Sequence, residues 1–150
     1  IEAVECINEK QKSIVYDKLI NLLGDAKGKT IAILGLAFKP ETDDMREAPA
    51  LVVIDKLLKD GATIRVFDPI ANEECKRRIG DVVTYSENMY DTAEGADAFL
   101  LMTEWRQFRM PTWNVIRKVM KGNVVVDGRN IYNREELEAL GFVYTRIGEK

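Results

Sequence analysis

Residues 35–49 read Gly-Leu-Ala-Phe-Lys-Pro-Glu-Thr-Asp-Asp-Met-Arg-Glu-Ala-Pro, placing Lys39 and Arg46 among Glu41, Asp43, Asp44 and Glu47. Lysine offers a point charge on a flexible stem and arginine a planar fork, and both suit phosphate oxygens. A glycine-rich loop binds phosphate by letting its backbone amides approach the ligand. Here the glycines stop after Gly35, so side chains would have to do that work. Lys39 and Arg46 could instead simply pair with the carboxylates of their own loop, as exposed charges often do at little net gain. Length favours a ligand: about a dozen residues without regular structure at a sheet edge are more often functional than idle.

Other chemistry is excluded by composition. The 150-residue chain contains no histidine, which removes Ser–His and Cys–His catalysis and histidine metal ligands. Its cysteines, Cys6 and Cys75, have no CxxC neighbour, so neither a zinc nor a redox motif is present. A net charge of −3 argues against a general nucleic-acid or membrane surface, so any basic site is local. No apolar run approaches the ~20 residues that span a bilayer. Ile1-Glu2-Ala3-Val4-Glu5 is already amphipathic, which is unlike a signal peptide, and the cysteine usage fits a cytoplasmic setting. The missing initial Met suggests a fragment or a processed product.

The elements that must position these groups alternate. Residues 1–23 carry Val4, Ile7, Ile14, Val15, Leu19, Ile20 and Leu22 near helical spacing. They predict one long helix ended by Gly24, leaning on another domain or subunit because its charges would pack poorly alone. Strands are expected at Ile31–Leu34, Thr63–Phe67, Val82–Tyr85, Ala98–Met102, Asn123–Val126 and Phe142–Tyr144. Helices are expected at Ala50–Asp60, Asn72–Ile79, Asn88–Glu94, Pro111–Met120 and Arg134–Leu140. Ile31-Ala32-Ile33-Leu34 and Val124-Val125-Val126 are continuously apolar, as strands buried on both faces should be. The expected fold is α/β: a Rossmann-like, doubly wound parallel sheet of about six strands, ordered 3-2-1-4-5-6, behind one long N-terminal helix.

Such sheets bind ligands beyond the carboxyl ends of their strands. Phe38, Lys39 and Arg46 follow the first strand, Asp68-Pro69 the second, Thr103-Glu104-Trp105 the fourth and Asp127-Gly128-Arg129 the fifth. With the first, fourth and fifth strands adjacent, Lys39, Arg46 and Arg129 are expected at one mouth, around an anion with several phosphate oxygens. Asp68 sits where many dinucleotide domains hold a ribose, but Pro69 favours a helix cap. Trp105 suits the core edge better than a stacked base. Asp43 and Asp44 are expected to orient the loop through backbone amides or Arg46. Lys76-Arg77-Arg78 could lower the thiol pKa of Cys75, although packing suits both cysteines better than nucleophilic attack.

"GLAFKPETDDMREAP" resembles the signature of the C-terminal domain of the UDP-glucose/GDP-mannose dehydrogenase family. "VFDP" at 66–69, "TEWRQF" at 103–108 and "VVVDGRNIY" at 124–132 resemble family segments in the family's order, and "INEKQK" at 7–12 resembles the connection from the middle domain. The resemblance covers nearly the whole chain and implies a fold, an activity and a set of roles. Phe38, Lys39 and Arg129 would contact a UDP-sugar, and Arg46 would reach towards NAD. Residues 1–28 would be helix and linker from the middle domain, and residues 29–150 the nucleotide-sugar-binding domain. The family oxidises the sugar's C6 alcohol to a carboxylate in two NAD-dependent steps, UDP-glucose giving UDP-glucuronate in its best-matching branch. A G-x-G-x-x-G domain and a nucleophilic cysteine in a glycine-flanked context are absent from these residues. No catalytic or metal residue is therefore expected here, NAD would be bound mainly by another domain, and this chain alone is expected to be inactive. Partners implied are the UDP-sugar, the enzyme's own N-terminal and middle domains and a second subunit of a homodimer, in the supply of polysaccharide precursors. Rival expectations are a dehydrogenase of a UDP-N-acetyl-hexosamine or GDP-mannose, a stand-alone nucleotide-binding regulator, and a receiver-like domain. Against the last, Asp43-Asp44 fall too far past the first strand, and the fifth strand ends in Asp-Gly-Arg rather than Lys.

Overall fold

A computed structural model describes residues 13–37, 39–46 and 48–147. Its elements run α1 (Ile14–Leu23), β1 (Thr30–Leu34), α2 (Pro49–Lys59), β2 (Thr63–Phe67), α3 (Asn72–Ile79), β3 (Thr84–Tyr85), α4 (Met89–Ala93), β4 (Ala98–Leu101), a 3-10 turn (Arg106–Phe108), α5 (Trp113–Val119), β5 (Val124–Asp127), α6 (Arg134–Ala139) and β6 (Val143–Arg146). The strands form one six-stranded sheet in the order β3-β2-β1-β4-β5-β6, every neighbouring pair parallel. This is the expected order, and the expected bounds of these strands and of the helices after β1 move by at most two residues, as helix and strand ends do.

Alternation along each strand divides the core into two layers. Ile31, Ile33, Ile64, Val66, Leu100 and Val126 face α1, α2 and α3, where Val15, Leu19, Val53, Ile54, Leu57 and Cys75 meet them. Ala32, Leu34, Phe67, Phe99, Leu101 and Val125 face the opposite layer, which holds Phe108, Trp113, Ile116, Tyr132 and Leu137. Trp113 centres that second layer, with ring centroids 5.4 Å from Phe99, 4.8 Å from Tyr132 and 5.4 Å from Phe142. Burial on both faces is what the continuous apolar runs required.

The N-terminal helix differs from expectation. Its first part, with Val4, Ile7 and Cys6, lies outside the described residues. The described part, Ile14–Leu23, leans on this domain itself: Leu19 is fully buried and Val15 nearly so. The Tyr16 hydroxyl donates to Asp60 at the end of α2, and the Lys56 ammonium lies 5.5 Å from the Tyr16 ring centroid. Asp17, its exposed charge, lies on the face away from Val15 and Leu19 and does not oppose this packing.

Gly35, where β1 ends, has φ +91°, and a Cβ there would lie 2.5 Å from the Thr103 Cβ and 2.6 Å from the Thr103 N. Only glycine permits this backbone and this approach. The start of the β1 loop is thereby pressed onto the start of the β4 loop.

Candidate functional site

The carboxyl edge is assembled by two buried aspartates, one just after β2 and one at the end of β5. Asp68, after β2, is 1% exposed. Its Oδ1 accepts from the Ile70 N–H (2.9 Å) and the Ala71 N–H (2.8 Å), closing the turn into α3. Its Oδ2 accepts from the Leu36 N–H (2.8 Å) and the Ala37 N–H (3.2 Å) of the β1 loop and from the Trp105 Nε1–H (3.2 Å) of the β4 loop. Asp68 is thus not the expected N-cap of α3, a position held by Ala71; it closes the turn before that helix and also ties two further loops together. Trp105 is buried and bonded to it, so it belongs to the core edge and is not presented for stacking.

These bonds explain why the loop after β1 can dispense with glycines. The amides of Leu36 and Ala37, which follow Gly35, are already bonded to Asp68. A pyrophosphate approaching the backbone there, as in a glycine-rich loop, would find those donors spent. A further tie comes from the Thr103 hydroxyl, which donates to the Ala37 carbonyl at 2.6 Å.

Asp127, at the end of β5, is the second anchor, fully buried. Its Oδ1 accepts from the Arg129 N–H (3.0 Å), and its Oδ2 accepts from the Ile131 N–H (2.8 Å), the Tyr132 N–H (2.8 Å) and the Tyr144 hydroxyl (2.7 Å). Burial, together with the hydrogen bond to this carboxylate, pushes the Tyr144 hydroxyl's pKa well above its ordinary value. Gly128 donates to the Leu101 carbonyl at 2.8 Å, and a Cβ on it would meet that oxygen at 2.5 Å. The turn bearing Arg129 is therefore fixed against β4 and under α1.

The expected cations have different partners in this frame. Lys39 is exposed and lines an open cleft of about 480 Å³ with Pro40, Thr42 and Asp44, within the size of ordinary small-molecule sites, roughly 300–1,000 Å³. Among the described residues Lys39 makes no ion pair. Arg129, 40% exposed, pairs through its Nε with Glu104 of the β4 loop, whose side chain is 18% exposed. Arg46 forks onto Asp44, itself part of the Lys39 cleft, and lines a second cleft with Glu74 and Arg78 of α3. Phe38 lies outside the described residues.

The remaining candidates behave as packing residues. Cys75 is fully buried, and burial raises its thiol pKa; Arg78 opposes this only weakly, so the basic run beside it does not produce a thiolate. Cys6 lies outside the described residues. Among the described residues no group of acidic, cysteine or histidine side chains is placed to hold a metal ion, and no helix is long and apolar enough to cross a membrane. Glu104 and the double-anchored Asp68 were missed as site-building residues. Their signal was their position just past strand ends, but their partners are distant in sequence.

Residues 32–134 match the model of the UDP-glucose/GDP-mannose dehydrogenase family, UDP binding domain. The chain is 44% identical over 154 residues to a UDP-glucose 6-dehydrogenase of Pseudomonas aeruginosa, covering 99% of this chain and 34% of that protein. It is 42% identical over 148 residues to the UDP-glucose 6-dehydrogenase TuaD of Bacillus subtilis, covering 99% of this chain and 32% of that one. Among solved structures, a UDP-glucose dehydrogenase from the hyperthermophilic archaeon Pyrobaculum islandicum superimposes with a TM-score of 0.84 at 32% identity, over 99% of this chain and 32% of that one. The chain thus spans about a third of the length of these relatives. Family model, sequence identity and superposition agree, and the chain belongs to the UDP-glucose/GDP-mannose dehydrogenase family, in which it corresponds to the UDP binding domain.

Proposed function

We propose that this chain is the C-terminal, UDP-sugar-binding part of an NAD-dependent nucleotide-sugar 6-dehydrogenase that oxidises UDP-glucose to UDP-glucuronate. Residues 29–150 would form the nucleotide-sugar-binding domain, and residues 1–28 would join it to a middle domain. Lys39 and Arg129, with Phe38, would contact the UDP-sugar, and Arg46 would reach towards NAD. The observation that carries this reading is Lys39: an exposed ammonium at the carboxyl edge, lining an open cleft, with no ion pair among the described residues. Arg129 is held by Glu104, so a diphosphate engaging it would share or displace that carboxylate. The domain's contribution to catalysis would be positioning, spending binding energy on the nucleotide to fix the hexose before the reacting groups. The β1 loop does not fit the pyrophosphate of NAD through its backbone, because Leu36 and Ala37 amides are engaged. NAD would accordingly be bound mainly by another domain. The remaining partners would be the enzyme's own N-terminal and middle domains and a second subunit, in a cytoplasmic setting.

Calorimetric titration with UDP, UDP-glucose and GDP-mannose tests the reading. UDP and UDP-glucose are expected to bind, with Lys39→Ala and Arg129→Ala each weakening them about tenfold, the loss of one charge-assisted hydrogen bond. Binding untouched by both substitutions, or preference for GDP-mannose, would overturn it.

A further inference from the structure

We propose that Asp68 is the positioning residue of this site, setting the distance between the loop that carries Lys39 and the loop that carries Glu104, the partner of Arg129. The inference rests on the proposed UDP-sugar reading and deepens it.

Asp68 does not face the Lys39 cleft. It sits 1% exposed beneath the carboxyl edge, after β2, a strand whose following loop carries none of Lys39, Arg46 and Arg129. Its carboxylate accepts five protein donors from three loops: Ile70 and Ala71, Leu36 and Ala37, and Trp105. The donors from the β1 loop stop at Ala37, shortly before Lys39. The donor from the β4 loop is the neighbour of Glu104. Both loops share one oxygen, Oδ2, so displacement of either is felt by the other. Thr103, which donates to the Ala37 carbonyl, closes the same junction from the other side. A turn cap would need only Oδ1. Engagement of Oδ2 by two other loops is what a turn cap leaves unexplained.

The chemistry requires a carboxylate. All five partners are donors, and an ionised carboxylate is acceptor-only with about four lone-pair sites. An amide of the same shape has one acceptor oxygen and an NH2 that would face N–H groups. Asp68→Asn therefore must abandon either the α3 turn or the β1–β4 junction. Trp105→Phe is the milder companion, since it keeps an aromatic ring in the core and deletes only the indole donor to Oδ2.

Amide hydrogen exchange and UDP titration on wild type, Asp68→Asn and Trp105→Phe test the inference together. Leu36 and Ala37 are expected to lose protection by about tenfold or more in Asp68→Asn, while Ile33 and Val66 keep theirs. UDP affinity is expected to fall about tenfold in Asp68→Asn and by a smaller factor in Trp105→Phe, with the thermal midpoint of Trp105→Phe nearly unchanged. Loop protection or UDP affinity unchanged in both variants overturns the role of Asp68 and leaves the UDP reading standing. Affinity lost only in step with global loss of protection, Ile33 and Val66 included, overturns it as well, because Asp68 would then serve the fold alone. Wild-type protein that takes up no UDP overturns the reading of the site and the inference with it.

Discussion

Asp44 commits both oxygens to one residue: Oδ1 accepts from the backbone N–H and Nε of Arg46, and Oδ2 from its Nη2, each at 3.0 Å. The side-chain hydrogen bond first, and the backbone bond second, hold the Asp44 pKa down to about 2 from an ordinary 3.8, and the same pairing raises that of Arg46. Arg46 is 79% exposed and Asp44 41%, so solvent and salt screen the pair and it contributes little to the fold. The sign is that of a depressed carboxylate: the stabilisation is present above pH 3.8 and is lost as pH falls through about 2. Carbon-detected NMR titration should place the Asp44 carboxyl midpoint near 2, and Arg46→Ala should return it towards 3.8; a wild-type midpoint already at 3.8 would dismiss the pair. An anionic ligand that uses Arg46 must compete with this fork. Of the two aspartates expected to orient the loop, only Asp44 has this role, because its side chain lies within reach of its own backbone two residues on.

At the scale of elements, the docking of the described part of α1 on this domain is the feature that its charges obscured. Val15 and Leu19 insert into the layer shared with α2, and Tyr16 reaches Asp60 at the far end of α2. That hydrogen bond, followed by burial, pushes the Tyr16 hydroxyl up to about 12 from 10.0. A raised pKa gives stabilisation that is whole below pH 10.0 and lost as pH climbs through about 12. Tyr16→Phe should therefore cost about 0.5–1 kcal/mol by chemical denaturation at pH 8 to 9. The gap to wild type should narrow steadily between pH 10 and 12, and a gap constant across that window would show that Tyr16 contributes through its ring alone. The strands and helices themselves were legible, since each announces itself within its own residues: a β-branched run, Pro49 opening a helix, Gly61 ending one. Contacts such as Tyr16–Asp60 or Asp68–Trp105 join residues far apart in sequence and leave no periodic trace.

For the whole molecule, the sheet order was legible because alternating elements and right-handed crossovers leave few topologies. It placed Lys39 and Arg129 at the carboxyl edge. It did not fix how far each cation lies from the others, which depends on side chains such as Glu104, Asp44 and Asp68. Among the described residues that edge presents exposed cations and no activated nucleophile. The chain has no histidine. Cys75 is fully buried with a raised thiol pKa, the opposite of what a nucleophile requires. The amides after Gly35 are bonded to Asp68 and leave no backbone cradle for a dinucleotide. Incubated with UDP-glucose and NAD, the 150-residue chain is therefore expected to form no NADH, even under conditions in which calorimetry detects UDP binding. Sustained NADH formation would overturn this division of labour, and its persistence or loss in Cys6→Ala would show whether the one thiol outside the described residues supplies the missing nucleophile.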